Sequence, residues 1–244
     1  MSDVVQITRE GSIAIVTVDN PPVNAVGQAV RQGLWDAVGE TEADAAVDAV
    51  VLTCAGRTFI AGADIREFDG GPFEPWLPDL VNRIHGARKP WVAAIHGTAL
   101  GGGLETALGC HYRIMRRGAK VGLPEVALGI LPGAGGTQRL PRVVGPERAV
   151  RMITSGKPVG AEAAHDMGLV DRVADDLAAE ALAFAQDVAG RPVPYTDEAP
   201  AKGEFDWDAA RRGVERAAKG QLSPLRAFDT VRRAFEVPLA EGLA

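Results

Sequence analysis

Two glutamates stand out by their isolation. Glu105 is the only charge in GTALGGGLETALGC, from Gly97 to Cys110, and Glu125 is the only charge in VGLPEVALGILPGAGGTQ, from Val121 to Gln138. Segments this apolar are buried in a folded chain, and glutamate is rarely buried without a purpose. Desolvation raises a carboxyl pKa, which prepares such a group for general acid–base work near neutrality. Each acid also has an ordinary structural explanation. Glu105 could complement a helix dipole in the first turn after Gly101–Gly103, and Glu125 could open a helix or loop after Pro124. Two lone acids in glycine-rich, apolar surroundings favour a working pair over two coincidences.

The backbone around them is unusual. The chain has 29 Gly in 244 residues, against about 17 at average usage. Of these, 11 fall between Gly97 and Gly136, which points to close backbone approach. Nucleotide fingerprints are broken: Gln138 stands where Gly133-x-Gly135 would need a third glycine, Thr106 where Gly101-x-Gly103 would, and there is no Walker A lysine. Helix N-terminal amides that bind an oxyanion are a better use, with tight packing at small residues as the alternative. A third stretch, AGRTFIAGADIREF from Ala55 to Phe68, has small residues at Ala61–Ala63, and Asp64 where an N-cap would open a helix over 65–68. The histidines at 85, 96, 111 and 165 show no metal-ligand spacing, no cysteine zinc site can be built from Cys54 and Cys110, and no G-x-S-x-G nucleophile elbow occurs.

Bulk properties close further doors. Net charge −6 and a pI near 5.3 argue against nucleic-acid or anionic-membrane binding. The start MSDVVQITRE lacks a signal-peptide pattern and no apolar stretch reads as a membrane span, so a soluble cytoplasmic protein is expected.

The elements that must position these residues read as an α/β fold with mainly parallel sheet. Strands are expected at 13–18, 49–53, 91–96 and, shorter, 169–173; helices at about 25–38, 146–155, 161–168 and 177–189. The Pro-rich stretch 191–204 reads as a linker after a core of residues 1–190. Beyond it, in 205–244, Trp207, Ala210, Val214 and Ala217 share one helical face, and Leu222, Leu225, Phe228, Val231 and Phe235 another. These stripes must pack on the core, on a second copy, or on something beyond Ala244.

The combination of NPPVNAV (20–26), FIAGADIREF (59–68), KPWVAAIHGTALGGGLETALGC (89–110) and VGLPEVALGILPGAGGTQRLPR (121–142) resembles the crotonase family of enoyl-CoA hydratases and isomerases. The match runs to about Ala189, roughly three quarters of the chain. It is closest to the N-terminal hydratase half of bifunctional hydratase/3-hydroxyacyl-CoA dehydrogenases, in which a dinucleotide-binding domain follows. The resemblance implies a spiral of ββα units with a helical C-terminal region, either as a homotrimer or hexamer or as part of a larger bifunctional chain. It places the oxyanion-hole amides at Ala63 and Gly102, and the acid–base pair at Glu105 and Glu125, with Glu125 protonating C2. It runs the coenzyme A thioester along Val23 and Ala61, Ala63, Asp64, Ile65 and Arg66, with Arg66 on phosphate or pantetheine. Coenzyme A is then part of the substrate, and no separate cofactor or metal is implied. Having both acids favours hydration over isomerisation. The competing expectations are an isomerase, a thioester hydrolase or lyase, and a non-catalytic, RNA-binding relative, the last disfavoured by the net charge. Two carboxylates alone also suggest a glycosidase, but 13 aromatics in 244 residues offer few sugar platforms.

Overall fold

A computed structural model of the chain describes residues 4–64, 67, 74–196 and 198–244. The sequence folds as repeated strand–strand–helix turns. The hairpin β1 (Val5–Glu10) and β2 (Ile13–Val18) leads into α1 (Gln28–Ala43), and β3 (Ala49–Cys54) leads towards α2 (Leu77–His85). Then β4 (Trp91–Ile95) and β5 (Thr98–Leu100) precede α3 (Gly102–Gly109), while β6 (Tyr112–Arg116) and β7 (Lys120–Gly122) precede a 3-10 helix (Glu125–Leu128) and α4 (Gly136–Val144). The coil continues through α5 (Pro146–Ser155), β8 (Val159–Gly160), α6 (Ala161–Asp166), β9 (Arg172–Ala174) and α7 (Leu177–Val188). The helices α8 (Trp207–Ala218), α9 (Ser223–Arg233) and α10 (Leu239–Leu243) follow.

Two sheets result, ordered β1-β2-β3-β4-β6-β9 and β5-β7-β8. The chain deposits β4 in the first and β5 in the second, then β6 in the first and β7 in the second, which is the advance of a spiral. From β2 to β9 the first sheet is parallel, with β1 antiparallel at its edge. WVAAI in β4 is buried at every residue, as a central strand covered on both faces must be. Leu52, Ala93 and Ile95 face the main core beneath α1–α3, whereas Val51, Val92 and Ala94 face a second cluster under α7.

The switch from one sheet to the other needs glycine. Gly97 has φ +60, and a Cβ there would fall 2.3 Å from the Arg57 carbonyl oxygen. Gly103 is where α3 crosses the 60s segment; a Cβ would fall 1.9 Å from Ile60 O.

Several expectations are corrected in detail. The strand read at 169–173 lies at Arg172–Ala174, because Leu169 and Val170 fill the core from the preceding turn. On α8 the buried alanine is Ala218, not Ala217, and Leu222 is 73% exposed just before α9. Phe228, Val231 and Val214 join the main core, so the C-terminal helices pack on it. The segment 191–204 has no helix or strand among its described residues, yet it is held to the body. Ala201 N–H donates to Ala234 O at 2.7 Å, and the Tyr195 ring lies edge-on to His85 and His111.

Candidate active site

α3 starts where β5 ends, and its first turn carries Glu105 into the interior; the whole helix is buried. Gly101, with φ +52, makes the tight entry, which a side chain would strain. The Glu105 carboxylate does not serve its own helix terminus. Its Oε1 accepts from Ala134 N–H at 2.7 Å and Gly136 N–H at 2.9 Å, where the glycine-rich turn runs into the first residue of α4. Burial pushes the Glu105 pKa up to about 6, while these two hydrogen bonds and the charge of Arg139 pull the other way.

Glu125 is the first residue of the 3-10 helix, directly after Pro124. Its carboxylate faces Gly101, where a Cβ would meet Oε1 at 3.0 Å, and its Oε2 is buried with no hydrogen-bond partner. Burial, and then the negative charge of Glu105, push its pKa up to about 7.

Both glutamates line one cavity of about 430 Å³, together with Ala63, Asp64, Gly102 and Leu131. The backbone of Ala63 and Gly102 comes close, since a Cβ on Gly102 would fall 3.5 Å from Ala63 N. Neither of these two N–H groups donates to a protein acceptor among the described residues. The 60s segment is held by Val26 N–H donating to Gly62 O at 2.9 Å and Ala61 N–H donating to Val23 O at 3.2 Å. The cavity thus combines two amide donors, two carboxyls of unequal proton affinity and an apolar wall. That set can stabilise a developing oxyanion and move protons beside it.

Of the residues expected here, Ala61, Ala63, Asp64, Gly102, Glu105 and Glu125 line the cavity, while Val23 is not among the lining residues and acts through its carbonyl. Ile65 and Arg66 lie outside the described residues, as does most of the helix expected after Asp64. Sequence reasoning missed the amides of Ala134 and Gly136; the glycine run was visible, but not which side chain it receives. It also missed a clasp in which Arg31 Nη1 donates to Glu67 Oε2 at 2.6 Å and Nε donates to Pro75 O at 2.6 Å. The exposed apolar side chains of Trp76, Leu128 and Ile130 at the rim were not anticipated either.

A larger groove, about 750 Å³, lies on the opposite face of the first sheet beside α7, lined by Ile15, Val51, Thr53, Ala94 and His96. It contains neither glutamate, so size does not mark the site. Among the described residues no three of His, Cys, Asp and Glu gather where they could hold a metal ion, and no helix is long and apolar enough to cross a membrane.

Residues 8–202 match the family described as Enoyl-CoA hydratase/isomerase. The chain belongs to that family. It is 44% identical over 239 residues to a peroxisomal bifunctional enzyme of Danio rerio, covering 95% of this chain and 33% of that protein. It is 45% identical over 173 residues to a probable enoyl-CoA hydratase of Bacillus subtilis (strain 168), covering 68% of this chain and 67% of the other. The crystal structure of enoyl-CoA hydratase from Bacillus anthracis superposes with a TM-score of 0.73 at 27% identity, covering 99% of this chain and 91% of that one. The α/β crotonase fold with its C-terminal helices is therefore the fold of this family member. The chain spans about a third of the length of the bifunctional relatives it matches.

Proposed function

We propose that the chain is an enoyl-CoA hydratase, adding water across the C2=C3 bond of trans-2-enoyl-CoA thioesters. The observation that carries this reading is the pairing, in one cavity, of two buried glutamates with two acceptor-free backbone amides. An α,β-unsaturated thioester adds water poorly because attack at C3 builds an enolate. The Ala63 and Gly102 N–H groups hold the thioester oxygen as that charge develops, and one such donor is typically worth about 10²–10³ in rate.

The unequal surroundings of the glutamates divide the proton work. With a pKa of about 6, Glu105 is mainly ionised at neutral pH and takes a proton from water as the C3–O bond forms. With a pKa of about 7, Glu125 is about half protonated and gives a proton to C2 as the enolate collapses. One water is consumed: its hydroxyl ends on C3, C2 gains a proton from Glu125, and solvent exchange returns the proton from Glu105 to Glu125. The relatives that bear the name enoyl-CoA hydratase support the same reaction. The coenzyme A moiety is assigned to the side formed by Val23 and Ala61–Asp64.

Purified protein should bleach the enoyl-thioester absorbance of crotonyl-CoA or a longer homologue. No bleaching with short, medium or long trans-2-enoyl-CoA contradicts the proposal. Turnover of 3-enoyl-CoA without hydration identifies an isomerase instead, and release of free thiol a hydrolase.

A further inference from the structure

Arg139, on the first turns of α4, is 1% exposed, yet among the described residues its guanidinium makes a single hydrogen bond: Nη2 donates to Asn82 Oδ1 of α2 at 2.6 Å. Its Nε and Nη1 are buried without a hydrogen-bond partner. A buried cation with most of its donors unused is costly, and such groups call for a reason.

The reason lies across the turn before α4. The two amides that hold Glu105 belong to Ala134 and Gly136, and Gly135 lies between them. A Cβ on Gly136 would fall 3.0 Å from Glu105 Oε1, whereas a Cβ on Gly135 would fall 3.4 Å from Arg139 Nε. The turn is one backbone layer between a carboxylate and a guanidinium. The backbone N–H of Arg139 donates to Gly135 O at 2.8 Å as α4 opens, and the Leu243 side chain of α10 lies against Gly135. Asn82 fixes the guanidinium to α2, the helix that packs on α3 and so on the element carrying Glu105.

We propose that Arg139 is a positioning residue: tied to α2 through Asn82, its buried guanidinium backs the Ala134–Gly136 turn against Glu105 and presents a positive charge to that carboxylate across one layer of backbone. The role rests on the hydratase reading for its purpose, though not for its test. The charged groups facing Glu105 are Arg139 from α4 and Glu125 from the 3-10 helix. Those facing Arg139 are Glu105, Glu198, Arg142 and, from α2, His85. Burial lowers the Arg139 pKa to about 10, so it stays charged at every pH at which the glutamates titrate. Among these groups, Arg139 is the one cation that Glu105 faces.

The experiment compares the wild type with Arg139→Gln, Arg139→Lys and Asn82→Ala. Glutamate labelled with 13C at the side-chain carboxyl reports titration by NMR, and Glu105→Gln assigns the signal. Arg139→Gln should move the Glu105 titration towards higher pH by about one pH unit, a tenfold rise in proton affinity. Arg139→Lys should keep it within about half a unit, because the charge is retained, and Asn82→Ala should fall between the two. In hydration assays the acid limb should move with the titration, with kcat reduced more than KM is changed. An unmoved titration in Arg139→Gln, or an equal movement in Arg139→Lys, overturns the proposal. If Arg139→Gln does not fold, a movement of about one pH unit or more in Arg139→Lys, which keeps the charge, overturns it. The titration needs no turnover. A chain that hydrates no enoyl thioester therefore refutes the proposed function, while the NMR result still decides the role of Arg139.

Discussion

Glu105 sits on a helix with one carboxylate oxygen held by two backbone amides, whereas Glu125 opens a 3-10 helix with an oxygen buried and unpartnered. Both are desolvated in the same cavity, so burial alone does not separate them. Hydrogen bonds to the charged form do: they hold the Glu105 pKa to about 6, while Glu125, which also feels the Glu105 charge, rises to about 7. On the proposed reading, one residue type supplies both the base and the acid of a single cavity, and the turn that points its N–H groups at Glu105 alone helps to tell them apart.

Removing either member should have the largest effect. Glu105→Gln and Glu125→Gln should each lower kcat for enoyl-CoA hydration by at least about 10², the lower end of what a positioned acid or base contributes. If both hydrate normally, the pair has no catalytic role. A smaller perturbation addresses the turn alone. The added methyl of Gly136→Ala would sit 3.0 Å from both Glu105 Oε1 and Leu123 Cδ1, so the carboxylate must shift. A loss of about tenfold in kcat is expected, with substrate binding largely retained. An Ala variant as active as wild type would show that the turn does not position Glu105.

The smallest effect is on stability, and its sign follows from linkage. Both folded-state pKa values lie above the ordinary carboxyl value of 4.5. Protonation therefore favours the folded state, and this stabilisation is lost as pH rises through about 6 for Glu105 and about 7 for Glu125. Each Gln variant should melt higher than wild type at pH 8, by roughly a few degrees, and close to wild type at pH 5. Glu125→Gln should gain more than Glu105→Gln, which must keep the Ala134 and Gly136 amides satisfied. Thermal melts at the two pH values check both the sign and the order.

Much of this was legible in the sequence because isolation of charge is a one-dimensional signal. Glu105 and Glu125 could be singled out without knowing that they share a cavity, and the runs IAIVTV and WVAAI read directly as buried strands. Ala63 and Gly102 came from family resemblance, since a backbone donor leaves no residue-type signature. β1 and α2 left weak signals: VQITRE is two-thirds polar at a sheet edge, and LPDLVNRIH follows Pro72 and Pro75. Arg139 looked like one of several arginines after the glycine run. Only the fold shows that it is buried while Arg142 reaches the carbonyls of Gln138 and Val237.

The central claim is that an ionised Glu105 and a protonated Glu125 work together on one substrate. The pH dependence of kcat/KM for trans-2-enoyl-CoA hydration tests it most directly, because it reports the acid and base of the free enzyme. The predicted result is a narrow bell: activity falls below about pH 6 as Glu105 takes a proton, and falls above about pH 7 as Glu125 loses one. A profile that stays flat from about pH 4 to 9, roughly two units beyond each glutamate's pKa, would contradict it.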